Sequence, residues 1–575
     1  MSEVDIKAQA ILREWKRLDH IRKFSRGRNC EGTSFYEARR EASGYAGHRV
    51  FNGGLGSWCG GWQDKRLHDS TVVSSLRTSL NGFMSYLISP TQRWFVLKAG
   101  GEVKNGFKAD NIYGLNDYFE TCQQEILKLY NNTNFYPTMR TFIADGMVQG
   151  TAALLIHEHE KLNELDAPLC FRTLDPADFC IDEDEDGKVD TLYRQFDLSL
   201  TAAYKRYGQD LPENLIKIYK QGGDDFKQIR FIEAIFKKGS VLDKDGREID
   251  SDLEASKEMK FSYFLVCEEN QKVIRKGSYK DFPFAVQRWE RVSEDTPYGV
   301  GLVMRLLPEI KALDKNMKLQ LVANEKLVNP PITVPMMMRD FDSRPGAVNF
   351  GDVSQAPVPL QTVRNYDGFA QENERLRQVI QEGMYCNLFA TIMRTPNQYM
   401  TATTVQELKS EALSLMSATL NNLQEEVIIP VIKRTYKIMK EKELLPPLPS
   451  EYVKFFGEEI HIELEGVLVS RMKTYLQTQG IQSGLQFVTQ VMQSTGNQDL
   501  GLNIDFDEAI RQGATSQGLP QSIIREKQEV EKQKQQLQEQ RAQQAQAQQL
   551  ESMTRSIANV GNAGINPREV MNANS

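Results

Sequence analysis

Apolar positions along this 575-residue chain recur at helical spacing, then at alternating spacing, then at helical spacing again. In residues 3–42, Ile11, Leu12, Trp15, Leu18 and Ile21 fall three and four apart, which predicts helix. A Gly-rich stretch over 53–61 follows, interleaved with Trp58 and running up to Trp62. A second helix is predicted over 68–88. It stops at Ser89-Pro90, because the residue before a proline is pushed out of the α region. RWFVL at 93–97 predicts a strand. Two more helices are predicted over 112–132 and 135–149, the last closed by Gly150.

Residues 151–300 change period. TAALLIHEHE, RFIEAIFKKG, YFLVCEEN, VIRKGSY and FAVQRWERV read as strands separated by turn signals, with short helical pieces at 199–208 and 211–218. The pattern predicts an α+β region with hairpins at 174–198 and 230–290.

From Pro297 the helical period returns. One long helix is predicted over 300–328, with a kink or fresh start at Pro308, and Pro330-Pro331 ends it. Residues 329–366 are Pro-rich and short-stranded. Helix resumes over 367–389, a loop with Pro396 covers 390–402, and a very long helix is predicted from Thr404 to about Lys442, bent at Pro430 and followed by the linker LPPLP at 445–449. Residues 450–514 hold a short strand, IHIELEG, and two helices. From 521 to 550 there is no Gly or Pro, and Ile523, Val530 and Leu537 repeat every seven residues, a narrow coiled-coil stripe. The alternative there is a disordered Gln-rich tail. A polar helix of this kind over 515–550 would need partner helices. Residues 551–575, rich in Asn, Gly and Ser, are expected to be a disordered tail. The fold class expected from the whole pattern is mixed α+β and mainly helical.

Composition narrows the function. Lys plus Arg total 70 and Asp plus Glu 77, a net charge of −7, which excludes a broadly basic nucleic-acid-coating protein but not a local basic surface. Six His leave little for a multi-histidine enzyme. Seven scattered Cys, none in CxxC spacing, fit reduced thiols in a cytosolically made protein. The charged amphipathic start and the lack of any long apolar run lead us to expect no ordinary secretion signal and no membrane span.

Candidate chemistry is sparse. The 53–61 glycines lack G-K-[ST] and are not a P-loop. Asp182, Asp184, Asp186 and Gly187 match the start of a calcium loop, but the twelfth position is Tyr193 rather than Glu, and the flanks are strand-like. A hairpin with an acidic turn is the better reading, with these three Asp as weak metal candidates, and 243–246 (DKDG) looks like a second such turn. His157 and His159 share a strand face without a third ligand. No catalytic constellation emerges, so we expect no enzyme and no cofactor. The 300–328 helix carries an apolar stripe (Val303, Leu306, Leu307, Ile310, Leu313, Met317, Leu321), with Lys311, Lys315 and Lys318 on another face. Those lysines form either an ordinary solvated face or a helix offering ammonium groups to DNA without sequence readout.

Six stretches carry a resemblance: SLNGFMSYLISPTQRWFVL (79–97), DGMVQGTAALLI (145–156), LDPADFCIDEDEDGKVDTLYRQFDLSLTAAYKRYG (174–208), TPYGVGLVMRLLPEIKALDKN (296–316) leading to EKLVNPPITVP (325–335), MTATTVQELKSEALSLMSATLNNLQEEVIIPVI (400–432) and GLPQSIIREKQEVEKQ (518–533). In this order they resemble the head-to-tail connecting, or portal, proteins of short-tailed bacteriophages (podoviruses), over about residues 10 to 545. One departure is local: a basic residue is expected soon after Ser89-Pro90, and Thr91 and Gln92 precede Arg93.

The resemblance implies a wing over 1–297, stem helices at 298–328 and 367–389, a clip over 329–366 and a tunnel loop over 390–402. It further implies a kinked helix over 403–449, a crown over 450–514 and a barrel helix over 515–550, in a ring of twelve copies. It implies a channel for packaging and ejecting double-stranded DNA at one capsid vertex of a virion, made in the bacterial host cytoplasm. The implied partners are the major capsid protein, scaffolding or internal core proteins, the terminase large subunit and a tail adaptor, with no membrane. On this reading the channel contacts are Lys311, Lys315 and Lys318 on the stem and Arg394, Asn397, Gln398 and Tyr399 on the tunnel loop. The lysines could instead face neighbouring subunits. Pro331, Pro335 and Pro345 belong to the clip interface. A net charge of −7 suits a channel that must let DNA slide. Two alternatives are another structural virion or scaffold protein with a coiled-coil C-terminus, and a metal- or nucleotide-dependent enzyme.

Overall fold

The computed structural model describes residues 5–24, 35–48, 67–99, 109–159, 167–222, 227–253 (252 excepted), 259–291, 296–334, 341–350 (343, 345 and 346 excepted), 357–359, 367–393, 419–447, 460–464 and 490. Residues 1–469 form one compact unit and 470–575 a second, and all of the described residues but 490 belong to the first.

Helices α1 (Ile6–Phe24), α2 (Phe35–Tyr45) and α3 (Thr71–Leu87) precede strand β1 (Phe95–Ala99), then come α4 (Ala109–Asn132) and α5 (Phe135–Gln149). These match the predicted elements within a few residues. Gly150 ends α5 at φ +81°, its N–H bonded to the Gly146 carbonyl. A β-carbon at Gly150 would lie 2.3 Å from the Gly299 carbonyl oxygen, so backbone packs on backbone here and only glycine fits.

The β region follows as β2 (Thr151–Glu158), β3 (Leu169–Leu174), β4 (Phe179–Glu183), β5 (Val189–Ser199), α6 (Leu200–Tyr207), α7 (Glu213–Lys220), β6 (Gln228–Lys237), β7 (Phe261–Cys267), β8 (Lys272–Tyr279) and β9 (Phe284–Arg288). Two antiparallel sheets form, ordered β3-β2-β9 and β4-β5-β6-β7-β8. Alternation along β6 sorts the faces. Ile232, Ala234 and Phe236 meet Ile11, Leu12, Trp15 and Leu18 of α1. Ile229 and Phe231 meet α6 and α7, while Ile235 joins Phe284 and Val286 of β9. Each large apolar side chain buried this way is worth ~1.5–3 kcal/mol over exposure. The expected apolar stripe of α1 is thus the face it buries. Arg22, in its last turn, is also buried and donates to the carbonyls of Ala177 and Phe179.

The two acidic turns share one construction. Asp184 Oδ1 accepts the N–H groups of Asp186 (3.1 Å) and Lys188 (2.8 Å), and Gly187 has φ +74°. Asp243 Oδ1 accepts those of Asp245 and Arg247 (both 2.8 Å), and Gly246 has φ +75°. A short acceptor side chain and a left-handed glycine three residues later close a tight turn.

After β9 come α8 (Leu302–Arg305) and α9 (Leu307–Val328), so the predicted long helix restarts one residue before Pro308. Strands β10 (Ile332–Thr333) and β11 (Val358–Pro359) pair antiparallel within the expected clip. Helix α10 (Asp367–Gly383) then returns along α9, with Gly383 under Leu306 and Asn373 beside Met317 and Gln320.

Here the structure corrects one helix boundary. The helix expected over 367–389 breaks at Met384–Tyr385, where Tyr385 takes φ +60°. It resumes as α11 (Cys386–Met393), reaching into the segment expected to be loop. Gly383 is the last residue of α10, but the residue that takes the left-handed conformation is Tyr385. Ser79 Oγ donates to the Met384 carbonyl, and Cys386 Sγ donates to Ser75 O (3.4 Å). The Ser79 bond satisfies a carbonyl that a helix end otherwise leaves unpaired, and the Cys386 bond holds the start of α11 to α3.

The long helix is described from residue 419. Residues 419–423 are α-helical, Gln424–Ile428 form a π turn, and α12 (Ile429–Glu441) carries Pro430 in its first turn. The irregularity lies in the turn before Pro430. In an α-helix Pro430 would meet the Glu426 carbonyl with no N–H to bond it, and the wider π turn relieves that conflict. The helix ends at Glu441, within a residue of the predicted end, in a turn with Glu443 at φ +56°. Strand β12 (Ile460–Leu464), from the expected crown segment, pairs antiparallel with β1, Phe95 opposite Leu464. The Gly-rich stretch at 53–61, the rest of the crown, the barrel helix and the tail lie outside the described residues apart from residue 490.

Candidate functional site

The site that the sequence singles out is the antiparallel pair α9–α10. Leu307, Ile310 and Leu313 bury the first half of the α9 stripe. Farther along, Asn373 Nδ2 donates to Gln320 Oε1 at 2.9 Å. Arg377 on α10 binds Asp69 before α3 at 3.0 Å. Burial alone would raise the Asp69 carboxyl pKa, but bonds from Thr71 and Arg377 outweigh it and hold the pKa below the ordinary value. Asp314 on α9 accepts the His68 N–H at 2.8 Å. The base of the pair is therefore fixed to the segment before α3 from both helices.

The three stem lysines do not share one environment. Lys311 Nζ binds Glu41 Oε2 of α2 at 2.8 Å, so this ammonium ties α9 to its own wing. Lys315 and Lys318 are exposed. With Lys326 they occupy the side of α9 opposite the α10 contact, interleaved with the exposed Leu319 and Val322. Leu321 and Leu327 are more than half exposed, and Val328 is 87 % exposed. On α10, Glu372, Glu374 and Glu382 are exposed, with Arg375 bonded to Glu372 at 2.6 Å. Pro331 is exposed beside β10. Phe350 is 91 % exposed in the loop where Arg344 pairs with Asp342. Pro335, Pro345, Arg394, Asn397, Gln398 and Tyr399 lie outside the described residues.

Two of the three weak metal candidates, Asp182 and Asp184, are occupied by protein, and Asp186 is exposed. Asp182 Oδ2 accepts Arg17 Nη2 at 2.6 Å, and Asp184 caps its own turn. Among the described residues no group of three or more His, Cys, Asp and Glu converges as a metal site. His157 and His159 meet edge to face, 5.4 Å between ring centres, and burial followed by His159 pulls the His157 pKa down. No helix among the described residues is long and apolar enough to cross a membrane.

A second cluster escaped sequence reasoning. Arg288, the 5 % exposed last residue of β9, donates from Nε (2.8 Å) and Nη2 (2.5 Å) to Glu426 Oε1, and its backbone N–H donates to Glu426 Oε2 (2.8 Å). Nη1 donates to Glu183 Oε2 (2.7 Å), and Nη2 also donates to the Gly187 carbonyl (2.9 Å). Arg291 binds the other Glu183 oxygen at 3.0 Å. Glu426 is 138 positions from Arg288 and Glu183 is 105, and no local spacing relates them.

Among the described residues the chain is a mixed helix-and-sheet protein, a β lobe with an antiparallel helix pair that leads to a short strand pair. The model of a family described as bacteriophage head to tail connecting protein matches residues 31–524. The chain belongs to that family. It is 24% identical over 479 residues to a portal protein of Salmonella phage epsilon15, 82% of each chain. It is 23% identical over 411 residues to a probable portal protein of Bordetella phage BPP-1, 70% of each chain.

Proposed function

We propose that the chain is the portal subunit of a short-tailed phage, acting as a homododecameric ring at one capsid vertex. The ring would form the channel for genome packaging and ejection, and would dock the terminase and then the tail adaptor. The observation that carries this reading is the bare outer surface of α9–α10. Exposed Leu319 and Val322 sit among three lysines on α9, and three exposed glutamates lie on α10. A heterologous contact that sets the α9 surface of one copy on the α10 surface of the next pairs opposite charges and covers those apolar side chains. Repeated around an axis, such a contact closes a ring.

That arrangement favours Lys315 and Lys318 as subunit contacts. A channel facing would instead place them near DNA phosphates, where each would add to the salt dependence of DNA binding. Exposed Phe350 and Pro331 fit the clip as a docking edge for the motor and the adaptor. The function is mechanical. Portal proteins are virion components, and we place this one at the capsid vertex.

Native mass spectrometry with negative-stain imaging tests the proposal. Twelve copies of 65.6 kDa come to roughly 790 kDa, and rings of about that mass with a central hole are expected. Monomers at every concentration, even with scaffolding protein added, would overturn it.

A further inference from the structure

Two segments far from β9 in the chain, the 183–187 hairpin end and residue 426, converge on the Arg288 guanidinium, and one of them is an irregular turn of a helix. Glu426 lies inside the π turn. Its backbone carbonyl is the one that Pro430 cannot bond in an α-helix, and its carboxylate is the one that Arg288 grips with three hydrogen bonds. The remaining Arg288 donors reach Glu183, at the end of β4, and the Gly187 carbonyl in the acidic turn. Two carboxylates and two guanidiniums, with Arg291 as the fourth, make the cluster neutral overall.

Proline explains why regular α-helical bonding fails at 426–430. It does not explain why the failure takes the form of a π turn seated on β9. A π turn inside a helix is a rare local state that needs outside support. The clamp supplies that support, since straightening the turn would move the Glu426 side chain away from Arg288 and strand a nearly buried cation. The hairpin turn supplies the other side: Asp184 and Gly187 shape it so that the Gly187 carbonyl and Glu183 hold the guanidinium in place.

We propose that residues 424–430 are a hinge of the long helix and that Arg288 is its lock. The acidic D-x-D-x-D-G turn is the brace that aims Arg288, which gives that motif a role without a cation. Arg288 and Glu183 act as positioning residues. While the clamp holds, 419–423 and α12 keep one relative direction. When it opens, the two parts of the helix can reorient without unfolding the sheets. The inference rests on the clamp geometry within one chain and stands apart from the ring reading.

Hydrogen exchange read by mass spectrometry on the full-length protein, with every variant compared in the same oligomeric state, tests it. Glu426→Gln keeps the side-chain shape and removes the charge. Exchange in peptides covering 419–430 is expected to rise about tenfold, while β2 and β6 stay within about twofold of wild type. Glu183→Gln is expected to act in the same direction with a smaller rise. Pro430→Ala alone is expected to keep wild-type exchange at 424–428, because the clamp still holds the turn. The double variant P430A/E426Q is expected to exchange more slowly there than E426Q, as a regular α-helix becomes possible. Unchanged exchange at 419–430 in E426Q, or an equal rise in β2 and β6, would overturn the lock. Pro430→Ala alone becoming slow at 424–428 would overturn it too, since proline would then be the sole cause of the π turn.

Discussion

The ring of Phe389 lies directly on the backbone of Gly82, so that a β-carbon at Gly82 would sit 2.4 Å from the nearest ring atoms. Phe83, the next residue, meets the same ring edge to face at 5.2 Å and Trp289 at 5.3 Å. One glycine on α3 therefore lets α11 close on the helical layer and on the end of the small sheet.

Gly82→Ala is expected to destabilise the protein by about 1–3 kcal/mol through overpacking. Adding Phe389→Leu should recover part of that loss, because the smaller side chain makes room for the methyl group. Thermal unfolding of the single and double variants measures both effects. Equal losses that simply add would show that the two residues are not in contact.

The stem lysines are expected to separate by function. Lys311→Glu removes the pair with Glu41, a half-exposed interaction, and should cost up to about 1 kcal/mol of protomer stability. Lys315→Glu with Lys318→Glu should leave protomer stability within about 0.5 kcal/mol, since both are exposed. The double reversal should disrupt assembly on the interface reading, and compensating E374K and E382K substitutions should restore it. Unfolding curves report the first effect and native mass spectrometry the second. Intact rings that bind DNA with a weaker salt dependence would instead assign these lysines to the channel.

Asp178 supplies a pH signature. Burial first, and then the neighbouring Asp175, push its carboxyl up to about 6, against the opposing effect of Arg194. In the folded state it keeps its proton at a pH where the unfolded chain has lost it. Its contribution is thus fully present below the ordinary carboxylate range and is lost as pH rises through about 6. Asp178→Asn should therefore raise stability at pH 7.5 by about 1–2 kcal/mol and flatten this part of the profile between about pH 4 and 6. Denaturant midpoints across that range check the sign, and a variant less stable at pH 7.5 than wild type would refute it.

The acidic hairpin is expected to ignore calcium. Asp184 already accepts two backbone N–H groups, and Asp182 binds Arg17. Adding millimolar calcium or a chelator should shift the melting temperature by less than about 1 °C, since only a ligand that prefers the folded state stabilises it. Asp184→Ala should cost about 1 kcal/mol through the lost turn bonds, and Asp184→Asn about half as much. A clear calcium-dependent rise in melting temperature would restore the cation reading.

What could be read from the residues follows a physical rule. The α1 stripe, the two Asp-to-Gly turns, the Gly150 helix end and the restart at Pro308 all depend on residues within one or two turns of each other. The sequence resemblance agreed with the family to which the chain belongs, because it rests on six local stretches in order. The α10–α11 break was not predicted: Gly383 precedes it, but the residue held at φ +60° is Tyr385, an ordinary one. What accompanies that break is contact from Ser75 and Ser79, about three hundred positions away.

By itself, the sequence determined most of the described helices, strands and turns and which of their faces are apolar, because backbone sterics and side-chain period act locally. Only the tertiary structure decided that β1 pairs with β12, that Lys311 is spent on Glu41, and that Glu426 is gripped by Arg288. A charge in a sequence has many possible partners. The choice among them is made by which surfaces packing brings within about 3 Å, where desolvation makes the right partner stabilising and a missing one costly.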